Sequence, residues 1–223
     1  MNIFNWISSL KHTVATVLLC SFLWGVNTVQ ATVLTFDDLP HSTVGGDIVP
    51  NSYGGFNWTM GYVDAANFTL GKVGYFNGLV SGANVAFNID GYPGVVSSNT
   101  DFTFIGAYFT AAWRDGLTIH AQGLKNGVQL YAQDITVNAD VPNYFSFNFV
   151  GIDTVYLAPE GGVYSSLFSP SGYDTTQFAM DNFTYTGNVS AVPVPGAVWF
   201  FVSALIGLLE VARRKPALMA IKA

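Results

Sequence analysis

From Thr32 to Gly187, apolar side chains recur at every second position in short runs, and each run is broken by glycine, asparagine, aspartate or proline. A period of two is the spacing of a strand with one buried face, whereas a helix needs a 3.6-residue period sustained over about ten residues. Such a segment is confined to an all-β fold of many short strands, a sandwich or a barrel. Phe145, Phe147 and Phe149 point one way while Ser146 and Asn148 point the other. The segments Thr32–Phe36, Phe56–Met60, Ala83–Phe87, Leu117–Ala121, Val128–Ala132, Thr154–Ala158 and Phe178–Tyr185 carry comparable apolar runs. Thr103–Phe109 reads as a longer strand buried on both faces. Asn126-Gly127 marks a two-residue hairpin, because a type I′ turn needs positive φ at both central residues. The count is about nine strands, as two packed antiparallel sheets.

The two ends follow different rules. Residues 1–31 read as a secretory signal peptide: Lys11 is the only lysine or arginine, Thr13–Val26 is apolar, and Val29-Gln30-Ala31 precedes the cut. That apolar stretch is short for a bilayer span, which takes about 20 residues, although a membrane anchor is the other reading. Cys20, the only cysteine, leaves with the signal, so the mature chain has no disulfide, thiol nucleophile or cysteine metal site. Residues 188–191 form a linker. At the other end, an apolar stretch over about 194–212 is long enough to cross a membrane as a helix. It is followed by Arg213, Arg214 and Lys215, which the positive-inside rule keeps in the cytoplasm together with residues 216–223.

Val192, Pro193, Val194 and Pro195, then Trp199, the apolar helix and the basic cluster stand in the order of a sorting signal. Residues 192–215 resemble the PEP-CTERM tail of Gram-negative bacteria, in its Val-Pro-x-Pro variant. The resemblance implies export across the inner membrane, transient anchoring by the C-terminal helix, and processing by signal peptidase and an exosortase. It also implies delivery to the cell surface or an extracellular, exopolysaccharide-containing matrix. Val194 stands where the common form has glutamate, and Glu210 interrupts a normally uncharged helix. A plain C-terminal anchor is the alternative.

Residues 32–187 are the passenger. Once both ends are set aside, 3 basic residues (Lys72, Arg114, Lys125) face 13 acidic ones. That balance excludes a nucleic-acid binder, which must neutralise phosphates. Leu34–Leu39 at the start, Ala111–Ile119 in the middle and Phe178–Phe183 at the end make the passenger similar to a galactose-binding-like jelly roll, the sandwich of many carbohydrate-binding modules. The resemblance implies that the first and last strands lie side by side and that a structural Ca²⁺ is held between them, with Asp37, Asp38 and Asp181 as ligands. Asp38-Leu39-Pro40 reads equally well as a turn.

Catalytic signatures are missing from the sequence: there is no nucleophile elbow, His-Glu-x-x-His or phosphate loop. Asp64, Asp115 and Asp153 allow a carboxylate pair for a glycan hydrolase or lyase only if folding gathers them. His120 reads as a polar residue on the outer face of a strand. The expectation is therefore a non-enzymatic surface or matrix protein that binds a glycan, with a ligand-free structural or adhesive protein as the alternative. Sugar sites combine aromatic faces with polar neighbours, and Tyr53, Phe56, Trp58, Tyr92, Trp113, Tyr164 and Tyr173 lie in or near glycine-rich loops. Trp113, Arg114, Tyr164 and Tyr173 are the expected ligand residues, the two tyrosines on a long loop over 161–173.

Overall fold

The structure, a computed structural model, describes residues 30–42, 45–68, 73–168 and 174–187. The segments expected to be a signal peptide, linker, sorting tail and cytoplasmic tail lie outside the described residues, as does Tyr173. The described residues fall within one compact unit, Thr28–Asn188.

Ten strands are described: β1 (Thr32–Leu34), β2 (Asp47–Ile48), β3 (Asn57–Trp58), β4 (Gly61–Asp64), β5 (Asn84–Phe87), β6 (Gly94–Ala111), β7 (Arg114–Lys125), β8 (Val128–Val137), β9 (Asn143–Tyr164) and β10 (Phe178–Gly187). Every pairing is antiparallel, in the order β2-β4-β5-β10-β6-β9-β7-β8, with β1 on β10 and β3 on β6. One helical turn, α1 (Gly74–Asn77), is inserted between β4 and β5.

The two longest strands shape the molecule. The C-terminal part of β6 pairs with β10 and with the start of β9, from Phe109↔Asn143 to Phe104↔Phe149. The N-terminal part of β6 pairs with β3 and with the later part of β9, from Gly94↔Leu157 to Ser97↔Thr154. Between these stretches the register breaks, and β9 carries positive φ at Asn148 (51°) and Gly151 (69°). Bulged strands of this kind carry a chain round a corner from one sheet half to the other. The two halves share a core: Phe104, Phe109 and Phe183 from one join Leu117, Ile119 and Leu157 from the other in a single buried cluster. Phe104 stacks between Phe147 (centroids 5.0 Å apart) and Phe183 (4.7 Å), and such ring pairs add about 0.5–1.5 kcal/mol beyond area burial.

The antiparallel all-β expectation holds, and three details are corrected. The runs at 145–149 and 154–158 are one strand, because the Gly151 bulge turns the corner without leaving the sheet. Gly161–Tyr164 is the end of β9, paired with the start of β7, rather than part of a loop. On β4 and β5 every residue is buried, so no period of two appears in exposure. Tyr62 and Ala86 face the main core, while Val63, Val85 and Phe87 face a second cluster under α1 and Trp113. The hairpin is as expected, with φ of 51° at Asn126 and 76° at Gly127.

Candidate functional site

Two places gather polar side chains around fixed backbone. The first is the junction of the chain's two ends. β1 lies beside β10, with Leu34 opposite Phe183, and this brings Asp37 and Asp181 to the same loop at residues 80–84. Asp181 is fully buried: its Oδ2 accepts the N–H groups of Val80 and Ser81, both at 2.9 Å, and its Oδ1 accepts that of Asn182 at 2.7 Å. Asp37 accepts the N–H groups of Ala83 and Asn84 on Oδ1, and the Ser81 hydroxyl at 3.1 Å on Oδ2. Burial pushes the Asp181 carboxyl above the ordinary carboxylate range; the backbone donors oppose that shift and the Asp37 charge adds to it. Gly82 (φ +45°) is required here, since a Cβ would stand 2.1 Å from Asp37 Oδ1. Asp38 is turned away and accepts the Tyr53 hydroxyl at 2.6 Å.

Calcium takes six to eight oxygen ligands. The facing oxygens of Asp37 and Asp181 are already filled by N–H and O–H donors. Asn84 Oδ1 is a buried oxygen there without a partner. Among the described residues no group of three His, Cys, Asp or Glu is placed to hold a metal. As arranged, Asp37 and Asp181 form a hydrogen-bonded clasp on the 80–84 loop.

The second place is a cavity of about 490 Å³ on the far face of the β4-β5-β10 layer. Its apolar lining includes Tyr75 of α1, Phe87 of β5 and Trp113 at the β6–β7 corner. Asp47, Asp90, Thr175 and Gln177 supply polar groups. α1 is held close because Gly74 donates to Ala112 O at 3.0 Å; a Cβ there would lie 1.8 Å from Ala111 O. That contact sets Tyr75 edge-on to Phe87 (5.5 Å), Trp113 (5.9 Å) and Phe68 (5.3 Å). The Trp113 indole N–H donates to Gln177 Oε1 at 3.1 Å and reaches the Tyr75 hydroxyl. Gln177 Oε1 also accepts the Thr175 hydroxyl at 2.8 Å, leaving its NH₂ without an acceptor among the described residues. Burial holds the Tyr75 phenol far above its ordinary range, so it remains protonated, and its proton has no acceptor among the described residues.

The expected ligand residues divide accordingly. Trp113 is 2% exposed and packed edge-on against Tyr75 and Phe168, so it is a wall of the cavity rather than an open stacking platform. Arg114 is committed to Asp174 at 2.7 Å and to the carbonyls of Gly161 and Gly162. Tyr164, opposite Arg114 on β9, packs half-buried against the second cluster. Tyr75, Asp47, Asp90, Thr175 and Gln177 had no signal in the sequence, because they come from four separate loops and strand ends.

The carboxylates considered for catalysis lie apart. Asp64 accepts from Asn67 and contacts His41 at 2.6 Å, Asp115 accepts the Ala139 N–H, and Asp153 accepts the Asn126 N–H. His120, on the outer face of β7 as expected, lies 2.7 Å from Asp134 and 3.0 Å from Glu160.

No protein-family model and no curated protein matches the chain. Among solved structures it is similar to the carbohydrate-binding module TmCBM61 in complex with β-1,4-galactotriose, at 8% identity and a TM-score of 0.36, over 63% of this chain and 90% of that one.

Proposed function

We propose that the chain is an exported, non-enzymatic surface or matrix protein whose β domain binds a glycan in the cavity walled by Tyr75, Phe87 and Trp113. The cavity carries this reading. Ligand sites are mostly apolar hollows of about 300–1,000 Å³ with a few placed polar groups, and here aromatic walls meet an amide donor, a phenol donor and two carboxylates. The pairing of first and last strands and the two corner-turning strands support a galactose-binding-like jelly-roll sandwich. Export rests on the signal peptide and the Val-Pro-x-Pro tail, with exosortase as processing partner and the surface or matrix as destination.

Calorimetry of the full chain in detergent against neutral, amino and acidic oligosaccharides tests the binding. Saturable binding that is lost in Tyr75→Phe and Gln177→Ala, with melting temperature unchanged, is the expected result. Absence of binding to every glycan returns the protein to a structural or adhesive role. Asp47 and Asp90 in one cavity keep a hydrolase as the second reading, which release of reducing ends in the same mixtures would establish. Export is tested on cells: the secreted species begins at Thr32 and lacks the tail, and Pro193→Ala with Pro195→Ala blocks that processing.

A further inference from the structure

We infer, resting on the glycan-binding reading of this cavity, that the unit it takes is an N-acetylated hexosamine, whose acetamido group meets Tyr75 and Gln177. Two donors converge there with no acceptor among the described residues. Trp113 orders both: its indole N–H reaches Gln177 Oε1 at 3.1 Å and the Tyr75 hydroxyl oxygen. An indole N–H only donates, so the Gln177 atom facing it is the amide oxygen, and the NH₂ is left over. The Tyr75 oxygen receives the same indole, which leaves its proton to give; the residue is only 4% exposed. One residue fixes the two segments that carry these donors. Ala112, fully buried, accepts the Gly74 N–H at 3.0 Å just ahead of Tyr75, and donates its own N–H to Gln177 O at 2.9 Å. The two donors are therefore held in place before any ligand arrives.

A buried donor with no partner is costly, and a ligand that brings an acceptor recovers the loss. The acceptor that fits is a carbonyl oxygen. It has two lone pairs and no proton, so it can receive a phenol O–H and an amide N–H together. A sugar hydroxyl would bring a proton of its own to a corner whose oxygens already receive Trp113 and Thr175. An acetamido group also carries a methyl, and Val63, Phe87 and Ile89 give the cavity an apolar wall for it. Its N–H needs an acceptor, and the Asp90 carboxylate lines the same cavity. A uronate could use the two donors but would set a like charge near Asp90.

Calorimetry of the full chain in detergent compares an N-acetylglucosamine hexamer with the glucose hexamer of the same linkage, N-acetylgalactosamine with galactose, and all four with a galacturonate oligomer. At least one acetylated sugar is expected to bind at least about tenfold tighter than its unacetylated counterpart, the worth of two neutral hydrogen bonds. The preference holds as ionic strength rises from about 0.05 to about 0.5 M, because the two donors that carry it are uncharged. Gln177→Glu keeps an oxygen for Trp113 and Thr175 and removes the NH₂, while Tyr75→Phe removes the phenol proton. Each cuts the preference several-fold and the pair abolishes it, with the melting temperature reporting that the domain stays folded. Tyr144→Phe, at an exposed position on β9, removes a hydroxyl outside the cavity and leaves the preference intact. Equal or tighter binding of the unacetylated or uronic sugars, or a preference that survives the paired variant, overturns the acetamido assignment while leaving glycan binding standing. Failure of all five probes and of every other glycan removes both readings.

Discussion

Asp181→Ala measures what the junction between the chain ends contributes. The carboxylate is fully buried and accepts three backbone N–H groups, at 2.9, 2.9 and 2.7 Å. A buried donor left without its partner costs about 1–3 kcal/mol. Val80 is 39% exposed and water can reach that side of the loop, which places the three losses together near the lower end, at about 4 kcal/mol. Deleting the side chain also relieves a buried charge and its repulsion from Asp37, the causes that raise its pKa, and so returns part of that loss. The net loss of about 3 kcal/mol lowers the melting temperature of a domain this size by about 6–12 °C. Asp181→Asn keeps one oxygen for Val80 and Ser81 and sets an NH₂ against the Asn182 N–H, for a smaller loss of about 1 kcal/mol. The folded-state pKa of Asp181 is raised, so its contribution is fully present below the ordinary 3.8 and is lost as pH rises through the raised value. The deficit of the Asn variant therefore narrows from acid towards neutral pH. Thermal melts of the full chain in detergent, followed by near-ultraviolet circular dichroism, give both quantities. An Ala variant melting within about 2 °C of wild type refutes the clasp, and an Asn deficit that widens with pH refutes the raised pKa.

The same melts with EDTA and with millimolar calcium test the metal expectation: a rise of several degrees with calcium supports Asp37 and Asp181 as ligands, and a shift of no more than about 1 °C in either direction removes them. Hydrogen bonds to Asp134 and Glu160 raise the His120 pKa, so the stabilisation from this contact is fully present below 6.5 and fades as pH rises through the raised value. An NMR titration of His120 should show a midpoint above 6.5 that returns to about 6.5 in the Asp134→Asn, Glu160→Gln variant. Gly127→Ala places a side chain at φ 76° in open space, so its cost is backbone strain alone, about 1–2 kcal/mol. Urea unfolding should show a lower midpoint with unchanged slope.

Strand type was legible wherever one face of a strand meets water. The alternation in Phe145–Phe149 matches β9, and Asn126-Gly127 matches the turn before β8, because a two-residue hairpin is governed by its own φ angles. β4 and β5 were harder, since sheet buries one face and α1 with Trp113 buries the other, erasing the period. The runs at 145–149 and 154–158 read as separate strands, but a bulge at Gly151 lets a paired chain bend without leaving its ladder. Trp113 was expected as a ligand residue beside an exposed turn, but it is a buried wall of the cavity, because its burial depends on Tyr75 and Phe168, 38 and 55 positions away.

What the sequence alone determined is therefore local: an antiparallel β domain and its acidic charge balance. These follow from side-chain period, turn preference and composition, which act between near neighbours. What only the tertiary structure decided is which distant groups share a site. Asp37 reaches Asp181 because β1 pairs with β10, and Asp47, Tyr75, Asp90, Trp113 and Gln177 share a cavity because the β4-β5-β10 layer gathers five separate segments on its second face. Closing those long loops is repaid only by the burial of both sheet faces at once, a collective term that no window of sequence contains.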